Sequence, residues 1–473
     1  MATVQRGSLW RVKPVDLILK ETEQPGESTL KRTLGPISIT AMGIGAIVGT
    51  GIFVLTGVAA ARYAGPGLIL SFVLAAIVSG LAALCYAEFA STVPIAGSAY
   101  TYSYATLGEL VAWIIGWDLI LEYAVGAAAV SIGWSGYVTD LIKSAFGITL
   151  PKALTISPFS GGIINLPAFL IILLLTLLLI VGTSETSRFN NVIVGIKLAV
   201  ILFFIVVGFG HVNPANWSPF LPFGPGGIFR GAAIIFFAYI GFDQVSTSAE
   251  EARNPAKDLP LGILLSLGVC TLLYIVVTAI LTGIVSYTQL NVASPVSHAL
   301  LLIGLKGSAS IISVGAICGL TTVLLVLLYG QSRIFFSMAR DGLLPTMFSH
   351  VHPRFRTPYL SSLLIGIVVA LIAGLTPIDV VAELTNIGTL AAFVLVSAAI
   401  LIMRRTQPDR PRGFRVPWVP VLPILSMLGS LLLIVSLPLV TIIRFIIWLA
   451  IGLLIYFLYS RHHSRLQQEL AQQ

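Results

Sequence analysis

The sequence predicts an all-α polytopic membrane protein with twelve transmembrane helices, and three observations carry this prediction. Of its 473 residues, 57% are hydrophobic and 10% are charged, and the mean hydropathy is +0.98. Apolar runs long enough to cross a hydrocarbon layer of about 30 Å recur along the chain. Two of these runs are interrupted by glycine at matching positions in two halves of the chain, a pattern typical of secondary transporters.

We number the predicted spans 1 to 12 in chain order. They lie at residues 37–62, 67–91, 105–137, 163–182, 190–211, 229–249, 259–285, 308–333, 358–375, 379–403, 419–437 and 440–460. Spans 1 to 5 (residues 37–211) and spans 6 to 10 (residues 229–403) form two sets of five. Because five is odd, the second set is inverted in the membrane relative to the first. Spans 11 and 12 (residues 419–460) follow this five-plus-five inverted repeat.

The distribution of basic residues predicts the topology. Most of the 27 Lys and Arg residues fall in segments on one side of the membrane, including the N-terminal arm 1–36 and the C-terminal tail 461–473. By the positive-inside rule both termini are cytoplasmic, in a protein of the plasma membrane. The net charge of +8 then reflects topology and contact with the lipid bilayer, so no nucleic-acid partner is expected. The arm is interpreted as solvated, with a short interfacial helix within residues 10–23 as the alternative.

The cysteines indicate no special chemistry. Cys85, Cys270 and Cys318 all fall inside apolar runs, where a free thiol behaves as a small buried hydrophobe. They suggest neither a disulfide framework nor a metal site, and we expect no metal and no cofactor. The first 36 residues contain no short apolar region ahead of a cleavage site, so no removed signal peptide is expected.

Span 1 contains a helix break that we interpret as part of a binding site. Residues 43–53 hold glycines at 43, 45, 49 and 51 in the middle of an apolar run. Each interior glycine costs about 1 kcal/mol relative to alanine and permits dihedral angles that other residues resist. An unwound backbone halfway across the bilayer cannot face lipid, so its polar groups must line a cavity or meet a ligand. The alternative is a close helix contact through Gly45 and Gly49, which are spaced as a small-xxx-small pair.

Span 6 contains a second break at the corresponding position of the second repeat. There, Gly241 and Asp243 interrupt an apolar helix. A helix contact in span 1 alone does not predict this partner break, whereas paired broken helices are typical of a transporter's substrate site. The two breaks together therefore favour a binding site at residues 43–53.

The chemistry of the two breaks predicts an amino acid as the ligand. The half-helix beginning near Thr50 directs the N–H groups of Gly49 and Gly51 inward, and with the Thr50 hydroxyl they suit a carboxylate. Carbonyl groups at the ends of the preceding half-helices suit an ammonium group. These carbonyls belong to Ile47, Phe237, Ala238 and Ile240. Opposite charges held close together match the head of an α-amino acid.

Span 3 carries two acids, Asp118 and Glu122, four residues apart on one helical face. A charge deep in the membrane costs about 2.5 to 3.5 kcal/mol on insertion scales, so both side chains should point into the bundle. Two neighbouring acids also favour at least one bound proton at neutral pH. Glu122 is therefore a candidate proton-coupling group. The alternative is a structural hydrogen bond from a permanently protonated acid.

Asp243 and Lys197 are the other candidates for proton coupling. Asp243 has Ser246 three residues later and is interpreted first as the N-cap of the inner half of span 6, with a proton relay to Glu122 as the alternative. Lys197 is the only charge of span 5, and burial of a lone ammonium favours the neutral amine. We predict that Lys197 is the coupling group. The alternative is that its side chain snorkels to the cytoplasmic surface.

Several motifs also indicate a family. The most specific are residues 43–55, residues 237–243, Glu250-Glu251 with Asn254-Pro255, and Arg340-Asp341-Gly342. On these motifs the chain resembles, over nearly its whole length, the amino acid, polyamine and organocation superfamily, and within it the bacterial members of the cationic amino acid transporter family. The resemblance implies the inverted-repeat fold, proton-coupled amino acid uptake and an aromatic gate at Phe237. It also implies that Lys197 stands where sodium-coupled relatives hold an ion between spans 1 and 8.

The predicted function is symport of L-amino acids with protons by alternating access. The expected lining of the side-chain pocket, residues 324–328 of span 8 and Ile47 of span 1, is apolar, which favours small neutral substrates such as alanine. Uptake of cationic amino acids and amino acid exchange are alternatives. An intramembrane enzyme is a remote alternative, since the sequence has no His-Glu-x-x-His zinc motif. Its catalytic candidates would be Asp118, Glu122, Lys197, Asp243 and His211. We expect a monomer and leave a small membrane partner open.

Overall fold

The computed structural model describes residues 11–13, 34–92, 99–181, 187–243, 245, 252–355 and 357–467, without the side chains of residues 187–191. Within these ranges every regular element is a helix, and the β-type pairing is one isolated parallel bridge between Leu34 and Ala252. The predicted all-α class is therefore confirmed. Most of the N-terminal arm, including its predicted interfacial segment, lies outside the described residues.

Seven helical segments of the described chain are long and apolar enough to cross a membrane. They are Gly51–Thr92, Glu109–Phe146, Val192–Phe209, Pro255–Ile284, Lys306–Arg340, Ile378–Thr406 and Leu439–His463. Five further apolar helices are shorter: Pro36–Ile47, Leu166–Val181, Gly226–Tyr239, Tyr359–Leu375 and Val421–Ser436. These segments establish a polytopic membrane protein, and the count of twelve spans stays a prediction. We keep the span numbers for the corresponding helices.

Span 1 is broken in its middle. Its inner half is the α-helix Pro36–Ile47, and Val48 then adopts an extended backbone with ψ of 102°. The chain becomes helical again at Thr50 and continues as a π-helical turn, Gly51–Leu55. Gly51 is required at this point because a Cβ there would lie 2.2 Å from the Cα atom of Ala238 in span 6.

Span 6 is broken opposite span 1. The α-helix Gly226–Ile235 tightens into a 3₁₀ turn over Phe236–Tyr239, after which Ile240 is extended. Gly241 has φ of +115°, and a Cβ there would lie 2.9 Å from the carbonyl of Ala46. Each break thus packs against the backbone of the other. Most of the inner half of span 6 lies outside the described residues, including Ser246 of the proposed N-cap.

Span 3 runs through the centre of the bundle and packs against spans 8 and 10. Its helix, Glu109–Phe146, extends further than the predicted 105–137 at its C-terminal end, where Gly147 ends it with φ of +69°. Span 12 is attached to span 3 by stacked indole rings: the centroids of Trp117 and Trp448 are 4.4 Å apart. Each indole N–H of this pair donates to the other residue's carbonyl oxygen, at 2.9 and 3.1 Å.

The two described ends of the chain meet at one end of the bundle. The N–H group of Glu109 donates to the carbonyl of Arg11 at 2.8 Å, and the Ser464 hydroxyl donates to the Glu109 carboxylate at 2.5 Å. The Arg465 N–H group donates to the Asp341 carbonyl at 3.1 Å. Segments close to both termini therefore share one face with the start of span 3 and the end of span 8.

A buried ion-pair cluster joins span 2 to span 10. Glu88 is fully buried, and its two carboxylate oxygens accept hydrogen bonds from Nε and Nη2 of Arg404 at 2.8 and 2.7 Å. Nε of Arg412 lies 3.3 Å from the same carboxylate, and the Val416 N–H group donates to it at 2.7 Å. This one acid therefore compensates two guanidinium groups and a backbone donor.

Glu88→Gln should destabilise the protein strongly, because it leaves buried guanidinium charge without its counter-ion. Breaking a buried pair from one side typically costs about 3 to 5 kcal/mol. The measurement is thermal unfolding of the purified protein in detergent. The control is Asp379→Asn, which breaks the pair of Asp379 with Arg62, whose side chain is 45% exposed; such pairs contribute at most about 1 kcal/mol. Equal melting temperatures for the two variants would contradict the assignment of Glu88 as a structural anchor.

Candidate functional site

A cavity lies where the two helix breaks meet, and spans 1, 3, 6, 8 and 10 all contribute to its wall. It is lined by Ala46, Ile47, Gly49, Thr50, Gly51, Glu122, Gly126, Val130, Phe237, Ile240, Gly241, Val323, Val326, Leu327 and Thr385. Six of the seven residues predicted to bind the substrate are among them, the exception being Ala238. The cavity thus brings together backbone groups of both breaks and side chains from three further helices.

Thr50 lines this cavity and carries a buried hydroxyl group. The residue is 1% exposed, and its Oγ1 atom has no hydrogen-bond partner among the described residues. A buried polar atom without a partner costs free energy, and such atoms are few in folded proteins. Thr50 also begins the outer half of span 1, where the first N–H groups of a helix lack partners within the helix. This part of the cavity therefore offers hydrogen-bond donors to an acceptor such as a carboxylate.

The carbonyl groups predicted to face an ammonium are partly engaged. The Ile47 carbonyl accepts a hydrogen bond from the Tyr274 hydroxyl at 2.9 Å, and the Phe237 carbonyl accepts one from the Ile240 N–H group at 3.3 Å. Each carbonyl oxygen has a second lone pair available for a ligand. Ala238 is outside the lining because it packs against Gly51, so its position serves helix contact.

The structure brings one of the predicted acids into the cavity wall. Glu122 lines the cavity and interacts electrostatically with Asp118 and Asp243. Asp118 lies one turn away against Gly388 of span 10, and neither of its carboxyl oxygens has a hydrogen-bond partner among the described residues. Asp243 is partly exposed, two residues beyond Gly241. The sequence had suggested an apolar side-chain pocket. The structure differs, because an acid and the Thr385 hydroxyl also border the cavity.

Lys197 lies beside the cavity and not in its wall. Its side chain is among the largest fully buried ones, with 1% exposure, so the ammonium does not extend to a surface. Nζ donates a hydrogen bond to the carbonyl of Gly45 in span 1 at 2.7 Å. The stem packs against span 8, where a Cβ on Gly319 would lie 3.0 Å from the Lys197 Cγ atom. One lysine side chain of span 5 thus contacts span 1 through its amine and span 8 through its aliphatic stem.

Sequence reasoning missed part of the wall. Gly126 and Val130 follow Glu122 at intervals of four residues, so the helical stripe that begins at Glu122 could have revealed them. Thr385 in span 10 carries no comparable signal. The same holds for Tyr274, whose hydroxyl reaches span 1 from span 7. In the part of the chain that the structure describes, no group of three or more His, Cys, Asp or Glu residues could hold a metal ion.

Comparison with known proteins identifies the family. A family model described as amino acid permease matches residues 34–463. The branched-chain amino acid permease of Bacillus subtilis is 53% identical over 468 residues, covering 98% of this chain and 100% of that protein. A methylthioribose transporter of the same organism is 52% identical over 463 residues, with coverage of 98% and 100%. The vacuolar cationic amino acid transporter 4 of Arabidopsis thaliana is 39% identical over 412 residues, covering 85% of this chain and 68% of that protein.

These matches agree with the resemblance inferred from the sequence, and they place cationic amino acid transporters at lower identity than the two bacillar proteins. They extend over nearly the whole chain, so the relation covers the cavity and both helix breaks. The chain therefore belongs to the amino acid permease family of the amino acid, polyamine and organocation superfamily, and is a multi-pass membrane transporter and not an enzyme.

Proposed function

We propose that this protein takes up neutral aliphatic amino acids across the plasma membrane in symport with protons, with both termini in the cytoplasm. The observation that carries the proposal is Thr50, which begins a half-helix, lines a largely apolar cavity and has a buried hydroxyl without a partner among the described residues. The meeting of segments near both termini at one end of the bundle supports their location on the same side of the membrane.

The head of the substrate would lie between the two breaks. Its carboxylate would accept from the Thr50 hydroxyl and from N–H groups around Gly49 and Gly51, which carry the positive end of the half-helix dipole. Its ammonium would donate to the free lone pairs of the Ile47 and Phe237 carbonyls. Both charges of the substrate then meet partners without any charged side chain.

The side-chain end of the cavity favours an uncharged substrate. Val323, Val326 and Leu327 form its span 8 wall, and Val130 of span 3 adds a further apolar surface. Glu122 is the acid in this lining, and with a bound proton it presents no charge to a cation. Small substrates such as alanine fit this cavity. Because the Bacillus subtilis relative is named a branched-chain amino acid permease, we include branched-chain amino acids among the proposed substrates.

Proton coupling would act through Lys197. When protonated, its ammonium makes a charge-assisted hydrogen bond to the Gly45 carbonyl, and such bonds are roughly twice as strong as neutral ones. Loss of the proton weakens the link between span 5 and the inner half of span 1. A proton that stabilises one arrangement of these helices shifts the equilibrium between inward- and outward-facing states. Glu122 in the cavity wall and Asp243, with which it interacts electrostatically, are second candidates.

Methylthioribose uptake is a second candidate function. The relative of that name is 52% identical to this chain, close to the 53% of the branched-chain permease. A sugar has no carboxylate for the donors around Thr50, and this chemistry favours the amino acid.

Thr50→Val should weaken substrate affinity while leaving the fold intact. Valine keeps the shape of the side chain and removes a hydroxyl that has no partner among the described residues, so the melting temperature should not fall. A hydrogen bond to a charged group contributes about 1.5 to 3 kcal/mol, so KM should rise about 10- to 100-fold. KM is measured from uptake of radiolabelled alanine into proteoliposomes. An unchanged KM would contradict the assignment of Thr50 to the carboxylate.

Lys197→Met should abolish accumulation driven by an inward proton gradient while retaining exchange of internal for external amino acid. Methionine keeps the aliphatic stem against span 8 and removes the proton-binding amine. The measurement is alanine accumulation in proteoliposomes with and without the gradient, with exchange assayed separately. The control is Lys257→Met, which removes an exposed lysine and should accumulate as the wild type does. Continued gradient-driven accumulation in Lys197→Met would refute the coupling role.

Uptake of radiolabelled alanine should be competed more strongly by neutral aliphatic amino acids than by lysine or arginine. The reason is the apolar wall of spans 3 and 8. The measurement is a competition screen with all twenty amino acids and methylthioribose, with and without a pH gradient. Arginine as the strongest competitor would indicate an ionised Glu122 and a cationic substrate. Strong competition by methylthioribose alone would favour the second candidate function.

A further inference from the structure

One glycine in the cavity wall is not explained by packing. The helix of span 3, Glu109–Phe146, contains four glycines, at positions 116, 126, 133 and 136. At Gly116, Gly133 and Gly136 a Cβ would lie 2.7, 2.6 and 2.4 Å from the nearest atom of another helix or loop, so each glycine permits a close approach. At Gly126 the three nearest atoms lie at 3.5, 3.8 and 3.9 Å, which is ordinary van der Waals contact.

This glycine is unfavourable for the helix. An interior glycine costs about 1 kcal/mol relative to alanine, and the helix at Gly126 has a backbone conformation that alanine also adopts. The missing methyl therefore leaves space at a cost in stability. Because Gly126 lines the cavity, that space belongs to the cavity.

The space lies away from the proposed position of the substrate's carboxylate. Span 3 approaches Thr50 at Gly133, where a Cβ would lie 3.5 Å from the Thr50 methyl group. Gly126 precedes Gly133 by seven residues, which is about 10 Å along an α-helix. A Cβ at Gly126 would lie 3.5 Å from Cγ2 and 3.9 Å from Oγ1 of Thr385, and 3.8 Å from Cδ1 of Leu327. Two methyl groups, the Thr385 hydroxyl and a bare backbone thus bound this end of the cavity.

We propose that Gly126, with Thr385 and Leu327 beside it, forms the end of the side-chain subsite and sets the largest side chain that the transporter accepts. The inference rests on the proposed uptake of neutral amino acids. The space at Gly126 receives the distal methyl groups of leucine, isoleucine or valine, whereas the side chain of alanine does not reach it. Glycine at this position therefore admits branched-chain substrates in addition to small ones.

Gly126→Ala tests the proposal, because it adds one methyl group at the end of the subsite with no clash. Uptake of radiolabelled leucine, valine and alanine is measured separately in proteoliposomes. One methylene in an apolar pocket changes kcat/KM by about 10- to 200-fold, so the leucine-to-alanine ratio of kcat/KM should fall about 10-fold or more. The matched control is Gly268→Ala in span 7, where an added Cβ meets no atom within 4 Å; its ratio should equal that of the wild type.

Leu327→Ala tests the same subsite in the opposite direction. Shortening this side chain enlarges the space, so uptake of phenylalanine relative to alanine should rise. The proposal is overturned if Gly126→Ala keeps the wild-type leucine-to-alanine ratio, or loses alanine and leucine uptake equally with an unchanged melting temperature. It is also overturned if the wild type transports alanine and excludes leucine and valine. A wild type that takes up no amino acid contradicts the proposed function itself.

Discussion

The structure depends on a constraint imposed by the bilayer: a helix that is interrupted inside the membrane must hide its free backbone groups from lipid. Here the two interruptions hide each other. Gly51 lies against Ala238, and Gly241 lies against Ala46, at distances that exclude a Cβ atom. Each break therefore supplies part of the protein surface that the other needs, and donors from spans 5 and 7 meet carbonyl groups of the span 1 break. The site and the stability of the broken helices have the same physical origin.

The inner half of span 1 is held by two donors of different character. Lys197 donates to the Gly45 carbonyl and Tyr274 donates to the Ile47 carbonyl, two residues further along. Burial of an amine favours its neutral form over the charged one, whereas a phenol donates the same kind of hydrogen bond while neutral. The two attachments of this half-helix therefore differ in chemical character, and the proposed coupling role concerns only that of Lys197.

Composition and glycine spacing predicted the features that depend on local sequence. The all-helical class follows from apolar runs, and the breaks in spans 1 and 6 follow from glycines at 49, 51 and 241. Contacts between distant spans were not predictable. The sequence of a helix reveals which of its faces is apolar, but it does not reveal which other helix covers that face. Glu88 and Arg404 illustrate this limit: both are visible as charges near span ends, yet 316 residues separate the partners of this pair. The contribution of Thr385 to the cavity has the same explanation.

The indole stack of Trp117 and Trp448 has a consequence for the membrane around the protein. Two reciprocal hydrogen bonds and a ring separation of 4.4 Å join span 12 to span 3, and span 3 carries Glu122 and Gly126 in the cavity wall. Span 12 is the more peripheral of the two helices, since several of its large apolar side chains are exposed on the bundle surface. Bilayers of different thickness change the tilt of such peripheral helices. Because the stacked rings join the two helices, a tilt of span 12 in a bilayer of different thickness would load span 3, the helix that lines the cavity.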